Sequence, residues 1–303
     1  MKVFVSGTES FIARAFIALC EARGIEICGV DAAAPPGKPG QMTMDIRSPG
    51  IADAIPLDVD AVVHLAAISR DADCRANPRL AYDVNIQGTV NLIEAAKARR
   101  ARQFVFASSE WVYGEVTNAG VQTEEQPLDA TRLKSEYALS KLASEQILRL
   151  AHAQGLPAAT ILRFGIVYGP RPANWSAVES LVDAVRRGGP VRIGSRRTAR
   201  RFIHVSDIAS GILASLGRTG CETFNISGDR LVTLGEVIDR AVRVSGKAPA
   251  VVEQAPDVIS VRNPDNSEAR RALSWRPQVD LTAGVQSVFE YLSRAGAGLG
   301  NLT

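Results

Sequence analysis

Lys2-Val3-Phe4-Val5-Ser6-Gly7-Thr8-Glu9-Ser10-Phe11-Ile12-Ala13 is the stretch whose reading decides the fold. The apolar run through Val5 predicts a strand, Gly7 a tight turn, and the apolar spacing from Ser10 to about Arg23 an amphipathic helix. A strand that passes through a glycine turn into a helix offers unpaired backbone N–H groups and the positive end of the helix dipole to an anion such as a pyrophosphate. The spacing is that of a G-x-x-G-x-x-G turn, yet only Gly7 is glycine. Ala13 still allows close helix packing, whereas Ser10 puts a side chain where backbone should approach phosphate. By itself the stretch also fits a strand–turn–helix corner that binds nothing.

Working outward, strands are predicted at 25–30, 59–65, 103–107 and 158–164, alternating with helices at 81–99 and 135–154. Regular alternation means right-handed βαβ crossovers and a parallel sheet, so the fold class is α/β, a doubly wound Rossmann sheet. Past Gly169-Pro170 the alternation weakens into a loop with Pro172 and Trp175, a helix at 178–187 and an arginine-rich turn at 195–201. The segments 202–216 and 223–226 are candidates to rejoin the sheet, and 233–245 and 281–295 read as helices. The expected division is interleaved: 1–169 with about 202–226 as the dinucleotide-binding domain, about 170–201 with 227–303 as a smaller substrate domain.

The 303 residues suffice for a large core, and 46% hydrophobic with 22% charged residues is an ordinary globular balance rather than a disordered or fibrous one. A net charge of +3 argues against a nucleic-acid-binding surface. Cys20, Cys28, Cys74 and Cys221 lie far apart without a C-x-x-C pair, which speaks against a metal site or a disulfide framework and for a reducing compartment. The charged residues that interrupt the opening apolar stretch fit neither a signal peptide nor a membrane span, so the expectation is a cytoplasmic protein with no membrane partner.

Asp31 ends the second predicted strand, where a carboxylate accepts hydrogen bonds from the ribose hydroxyls of adenosine and repels a 2′-phosphate. With no Lys or Arg directly after it, NAD is favoured over NADP. Tyr137-Ala138-Leu139-Ser140-Lys141 sets a phenol and an ammonium four residues apart on one helix face. A free phenol titrates near ~10, and a neighbouring ammonium and an oxidised nicotinamide both favour the phenolate, as a proton acceptor at neutral pH requires. Upstream, Val105-Phe106-Ala107-Ser108-Ser109-Glu110 reads as a buried strand that releases hydroxyls and a carboxylate at its C-terminal end, the ligand-binding edge of an open α/β sheet. Each motif alone has a bland reading: a surface pair, a turn, a strand end.

Taken in order, these motifs make the chain resemble the extended short-chain dehydrogenase/reductases, specifically the NAD-dependent epimerase/dehydratase family that acts on nucleotide sugars. The resemblance implies cofactor contacts from Gly7, Ser10, Phe11 and Ile12 at the turn, from Asp31, and from Asp45 and Ile46 near adenine. It adds Leu65, Ala66 and Ala67 after the fourth strand, together with Asn85, Ser108, Tyr137, Lys141, Phe164 and Ile166. Ser109, Tyr137 and Lys141 take the catalytic places. Ser109, Glu110, Tyr137 and Arg200 are implied on the substrate side, and Ser274-Trp275-Arg276-Pro277 resembles a Gly-Trp-x-Pro element. Sugar dehydratases carry Asp-Glu where this chain has Glu110-Trp111, so dehydration is disfavoured. Ile166 stands where many relatives have an asparagine.

The expected activity is therefore NAD-dependent epimerisation of a nucleotide sugar, at C4, by transient hydride abstraction and return. The alternatives are a keto-sugar reductase or sugar dehydrogenase of the same fold, and a non-catalytic NAD-binding regulator. The resemblance further implies a homodimer.

Overall fold

The structure, a computed structural model, describes residues 1–114, 120–172 and 176–299, with side chains to residue 294; Trp175 lies outside the described residues. Seven strands, β1 (Lys2–Ser6), β2 (Glu26–Asp31), β3 (Gln41–Thr43), β4 (Ala61–His64), β5 (Phe104–Ser109), β6 (Ala158–Phe164) and β7 (Gly220–Ile226), form one sheet. Every pairing is parallel and the order is β7-β6-β5-β4-β1-β2-β3. The chain runs from β1 outward to β2 and β3, then returns to the other side of β1 as β4. That reversal creates the crevice in which doubly wound sheets bind ligands, and Gly7 sits at its mouth.

Helices cover both faces, so β5 and β6 are buried along their whole length and read as continuous apolar runs rather than alternating ones. On one face Val3, Val5, Val63, Val105 and Leu162 pack against helices Phe11–Glu21 and Val205–Ala214. On the other Phe4, Val62, Phe104, Phe106 and Ile161 pack beneath helices Gly88–Ala98 and Glu136–Ala153. The split follows the two-residue period of a strand. A third cluster joins helices Ala177–Arg187, Leu234–Ser245 and Leu281–Leu299 through Val182, Val185, Val237, Ile238 and Val288. Ala269, Leu273 and Trp275 belong to the first cluster, so the segment after Ser267 returns to pack on the sheet side of the molecule.

Three local features depart from sequence expectation. Segment 202–216 does not rejoin the sheet: Ile203–His204 pairs with Val167–Tyr168 as a separate two-stranded ribbon, and Val205–Ala214 is helical. The short edge strand β3 has no periodic signature at three residues. The helix expected at 81–99 begins at Pro78 under an Asn77 cap, and a π-helical turn at Asp83–Gln87 precedes Gly88–Ala98. Such a turn re-aims side chains locally; here Asn85 is buried.

Candidate active site

The turn after β1 is shaped for a dinucleotide. Gly7 has φ +79°, and a Cβ there would stand 2.6 Å from the Ala66 backbone nitrogen, so only glycine lets this turn pass under the segment leaving β4. Ser10 is the N-cap of helix Phe11–Glu21, its hydroxyl accepting from Ala13 N–H at 3.2 Å. The first-turn N–H groups of Phe11 and Ile12 have no intrahelical acceptor and are therefore available to an anion. Asp31, at the end of β2, accepts from Glu9 N–H at 2.9 Å and Ala33 N–H at 2.8 Å. Lys38 comes near this corner, but its ammonium is held by Glu9 at 2.7 Å. Asp45 pairs with Arg47 at 2.6 Å, while Ile46 is buried against Gly88. Leu65, Ala66 and Ala67 lie directly beyond the C-terminal end of β4, with Leu65 N–H donating to the Ser6 carbonyl. A glycine cradle with no room for a Cβ, a helix N-terminus and a strand-end carboxylate together fit NAD.

Asn85 is spent on scaffolding: its carboxamide brackets the Ile68 backbone at 2.8 and 3.0 Å and donates to Ser140 Oγ at 3.0 Å. It thereby ties the loop after β4 to the helix that carries Tyr137 and Lys141. Phe164 ends β6 opposite Ser109 of β5, and Ile166 follows, half-buried, its carbonyl accepting from Ile203 N–H at 3.0 Å. Ser108 and Ser109 point apart, as strand neighbours must. Ser108 donates to the buried Glu145 at 2.5 Å, and Glu145 also pairs with the buried Arg163 at 2.8 Å. Ser108 offers the opposite side of the sheet no free hydroxyl.

Ser109, Tyr137 and Lys141 are brought together. The Ser109 hydroxyl accepts from Trp111 N–H at 3.3 Å as the N-cap of the short helix Glu110–Tyr113, and it shares a hydrogen bond with Tyr137. With a lone pair taken by Trp111, its proton is left for an oxygen at the phenol. Lys141 is buried and donates to the Ala107 carbonyl at 2.8 Å; its Nζ lies 4.8 Å from the Phe106 ring centre and 5.8 Å from that of Tyr137. Burial lowers its affinity for a proton to about 8. Burial also pushes Tyr137 up to about 12, with the Ser109 hydrogen bond acting against it. The sequence argument expects a lowered phenol; in the structure burial outweighs the Ser109 hydrogen bond, and the phenol is raised instead.

The second lobe contributes less charge to the crevice than its arginine count suggests. Arg186 and Arg187 pair with Asp183, Arg196 with Asp239, and Arg201 with Asp265. Arg200 turns inward. Its guanidinium donates to the Ala199 and Ser260 carbonyls, each at 2.7 Å, and to Ser260 Oγ at 2.9 Å, while Nε faces Glu110 at 4.0 Å. Arg262, which the sequence reading does not single out, approaches the same carboxylate at 4.0 Å and stacks on Trp111 at 4.3 Å. Trp111 in turn meets Tyr137 edge-on at 6.4 Å. A backbone bridge aligns the two arginines: Ala199 N–H donates to the Ser260 carbonyl and Arg262 N–H to that of Ala199. No periodicity or spacing links residues 62 positions apart, so this partner was not legible. Glu110 itself is 0% exposed, neither carboxyl oxygen has a hydrogen-bond partner, and burial pushes its proton affinity up to about 7.

A doubly wound sheet with a dinucleotide turn and a Ser–Tyr–Lys set at the ends of β5 and the following helix defines an enzyme of the extended short-chain dehydrogenase/reductase class. Residues 3–227 match the NAD dependent epimerase/dehydratase family, and the chain belongs to it. The chain is 31% identical over 242 residues to the uncharacterised UDP-glucose epimerase YtcB of Bacillus subtilis strain 168, covering 78% of this chain and 75% of that protein. It is 28% identical over 235 residues to the UDP-glucuronate 4-epimerase of Thermodesulfobacterium geofontis strain OPF15, covering 75% and 71%. In structure it is similar to MoeE5 solved with UDP-glucose and NAD, with a TM-score of 0.87 at 26% identity over 97% of this chain and 99% of that one. Among the described residues no helix is long and apolar enough to cross a membrane.

Proposed function

We propose that this enzyme is a nucleotide-sugar 4-epimerase, with NAD held in the lobe built on the seven-stranded sheet and the substrate between that lobe and the arginines of the second. The observation that carries the proposal is the assembly of Ser109, Tyr137 and Lys141 at one sheet edge, facing the arginine pair Arg200 and Arg262, with Trp111 where dehydration would use a second carboxylate. Bound NAD would supply a reversible hydride acceptor for the sugar carbon. Tyr137 takes the proton of the hydroxyl on that carbon and gives it back, and Ser109 donates a hydrogen bond to the same oxygen as its charge develops. Lys141 supplies a fixed positive charge below the phenol. Arg262, with the partly engaged Arg200 beside it, offers positive charge and donors to a diphosphate. UDP-glucose and UDP-glucuronate, bound or acted on by the relatives above, are the first substrates to try.

Leu139 and Leu150 are exposed on one face of helix Glu136–Ala153, which supports a homodimer paired through that helix; light scattering that gives a monomer at micromolar concentration would count against it. We place the enzyme in the cytoplasm. The deciding experiment incubates the NAD-loaded enzyme with each nucleotide sugar and follows products by NMR and NADH by absorbance. The 4-epimer should accumulate without bulk NADH and vanish in Tyr137→Phe. Stoichiometric NADH would instead mark a dehydrogenase.

A further inference from the structure

Glu110 is a buried charge with an odd environment. Both carboxyl oxygens are sealed from solvent and neither receives a hydrogen bond, although Ser109 and Trp111 beside it in sequence are both engaged at the site. The charged groups acting on it are the guanidiniums of Arg262 and Arg200, each 4.0 Å away. They come from two different segments, and Arg262 also stacks on Trp111, which meets Tyr137 edge-on, so the arginines stand between the buried carboxylate and the catalytic set in this chain of contacts. A carboxylate without hydrogen bonds in a dry site is sustained as an anion by Coulombic attraction alone. An anion that docks on the two guanidiniums competes for that attraction.

We propose that Glu110 is a positioning residue that holds Arg200 and Arg262 as a paired cradle in the free enzyme and takes a proton from solvent when the substrate diphosphate binds them. This rests on the substrate reading above. While the site is empty, the carboxylate balances two cations that would otherwise repel one another. With the diphosphate bound, the arginines are neutralised from the other side, and the carboxylate becomes the cheaper group to discharge. Substrate binding is thereby linked to uptake of one proton, and affinity falls as pH rises past the range in which free Glu110 ionises.

The test uses NAD-loaded enzyme carrying Tyr137→Phe to stop turnover, titrated with UDP-glucose by calorimetry at about pH 8 in HEPES and in Tris, whose ionisation heats differ. With Glu110 present, roughly one proton should be taken up per site, and affinity should weaken by up to about tenfold per pH unit above that pH. In Glu110→Gln both effects should disappear while binding persists. Infrared spectra of the protein with Glu110 intact should gain a protonated-carboxyl C=O band on adding UDP-glucose, a readout that needs no variant at this position. Binding without proton uptake and without that band, or equal uptake in Glu110→Gln, overturns the proposal alone. Failure of UDP-glucose and UDP-glucuronate to bind at all overturns the substrate reading, and the proposal with it.

Discussion

Lys141 donates to the Ala107 carbonyl at 2.8 Å, and this single bond fixes where the ammonium stands relative to Tyr137, one helical turn before it. The carbonyl belongs to β5, the strand that also delivers Ser109, so strand and helix are locked together at the site. Lys141→Met removes both the charge and the lock. Turnover should fall about a hundredfold or more, with the far-ultraviolet spectrum unchanged. Lys141→Arg should not restore it, because a planar fork cannot replace a point donor to one buried carbonyl. Steady-state rates of the proposed epimerisation at neutral pH check both variants.

His64 is fully enclosed between Ser6 Oγ at 2.8 Å on Nδ1 and Thr89 Oγ1 at 2.9 Å on Nε2. Thr89 already donates its hydroxyl proton to the Asn85 carbonyl at 2.6 Å, so Nε2 carries the hydrogen and Nδ1 accepts from Ser6. Burial, followed by the nearby Lys141 charge, lowers its proton affinity to about 3. A depressed folded value makes the unfolded chain the better proton binder. Stability from this residue is therefore present above the ordinary histidine value near ~6.5 and drains away as pH falls towards 3, by about 1.4 kcal/mol per unit. Nitrogen-15 NMR at pH 5 should show His64 neutral with hydrogen on Nε2. An imidazolium there would refute the assignment.

How much of this was legible in the sequence depends on how local each signal is. The sheet strands carry their own signature, and 158–164 was readable to the residue because seven consecutive positions are buried on both faces. Tyr137 and Lys141 declare themselves through one helical turn. Segment 202–216 misled because its apolar run fits strand and helix alike; the His204 side chain, accepting from Ser206 N–H, starts a helix there. Arg262 and the hydrogen bond of Ser108 to the buried Glu145 were hidden for another reason. Both follow from contacts with residues far away in the chain, Glu110 and Glu145, and no pattern in the sequence records which distant charge a side chain will meet.

Asp31 accepts two backbone N–H groups and so has a fixed orientation, with Glu9 beside it holding Lys38. Asp31→Ala should weaken NAD binding by about tenfold or more, the scale of charge-assisted hydrogen bonds to a ribose. NADP should remain a poor ligand in that variant, because Lys38 is still neutralised. Adding Glu9→Gln releases the ammonium, and the double variant should gain NADP affinity relative to NAD. Fluorescence titration with both cofactors distinguishes these outcomes.

Ser274 follows helix Ser267–Leu273 with φ 50° and ψ 33°, the left-handed cap position that favours glycine. An L-residue with a Cβ costs about 1 kcal/mol there. Ser274→Gly should raise the melting temperature by about 2 °C without changing turnover. An unchanged or lower Tm by calorimetry would show that the serine side chain compensates for its backbone.

Ser10 breaks the glycine pattern of the pyrophosphate turn, and its geometry says what the change does. The hydroxyl bends back to accept from Ala13 N–H at 3.2 Å, the ordinary work of an N-cap, and so turns away from the first-turn donors of Phe11 and Ile12. The side chain therefore stabilises the helix at whose N-terminus the anion site is proposed, instead of filling that site. Ser10→Ala should cost about 1 kcal/mol of stability, Ser10→Gly only a few tenths. In both variants the NAD dissociation constant should stay within about threefold of wild type, since the phosphate-facing N–H groups remain. A tenfold or greater tightening in Ser10→Gly would mean that the hydroxyl does obstruct the pyrophosphate.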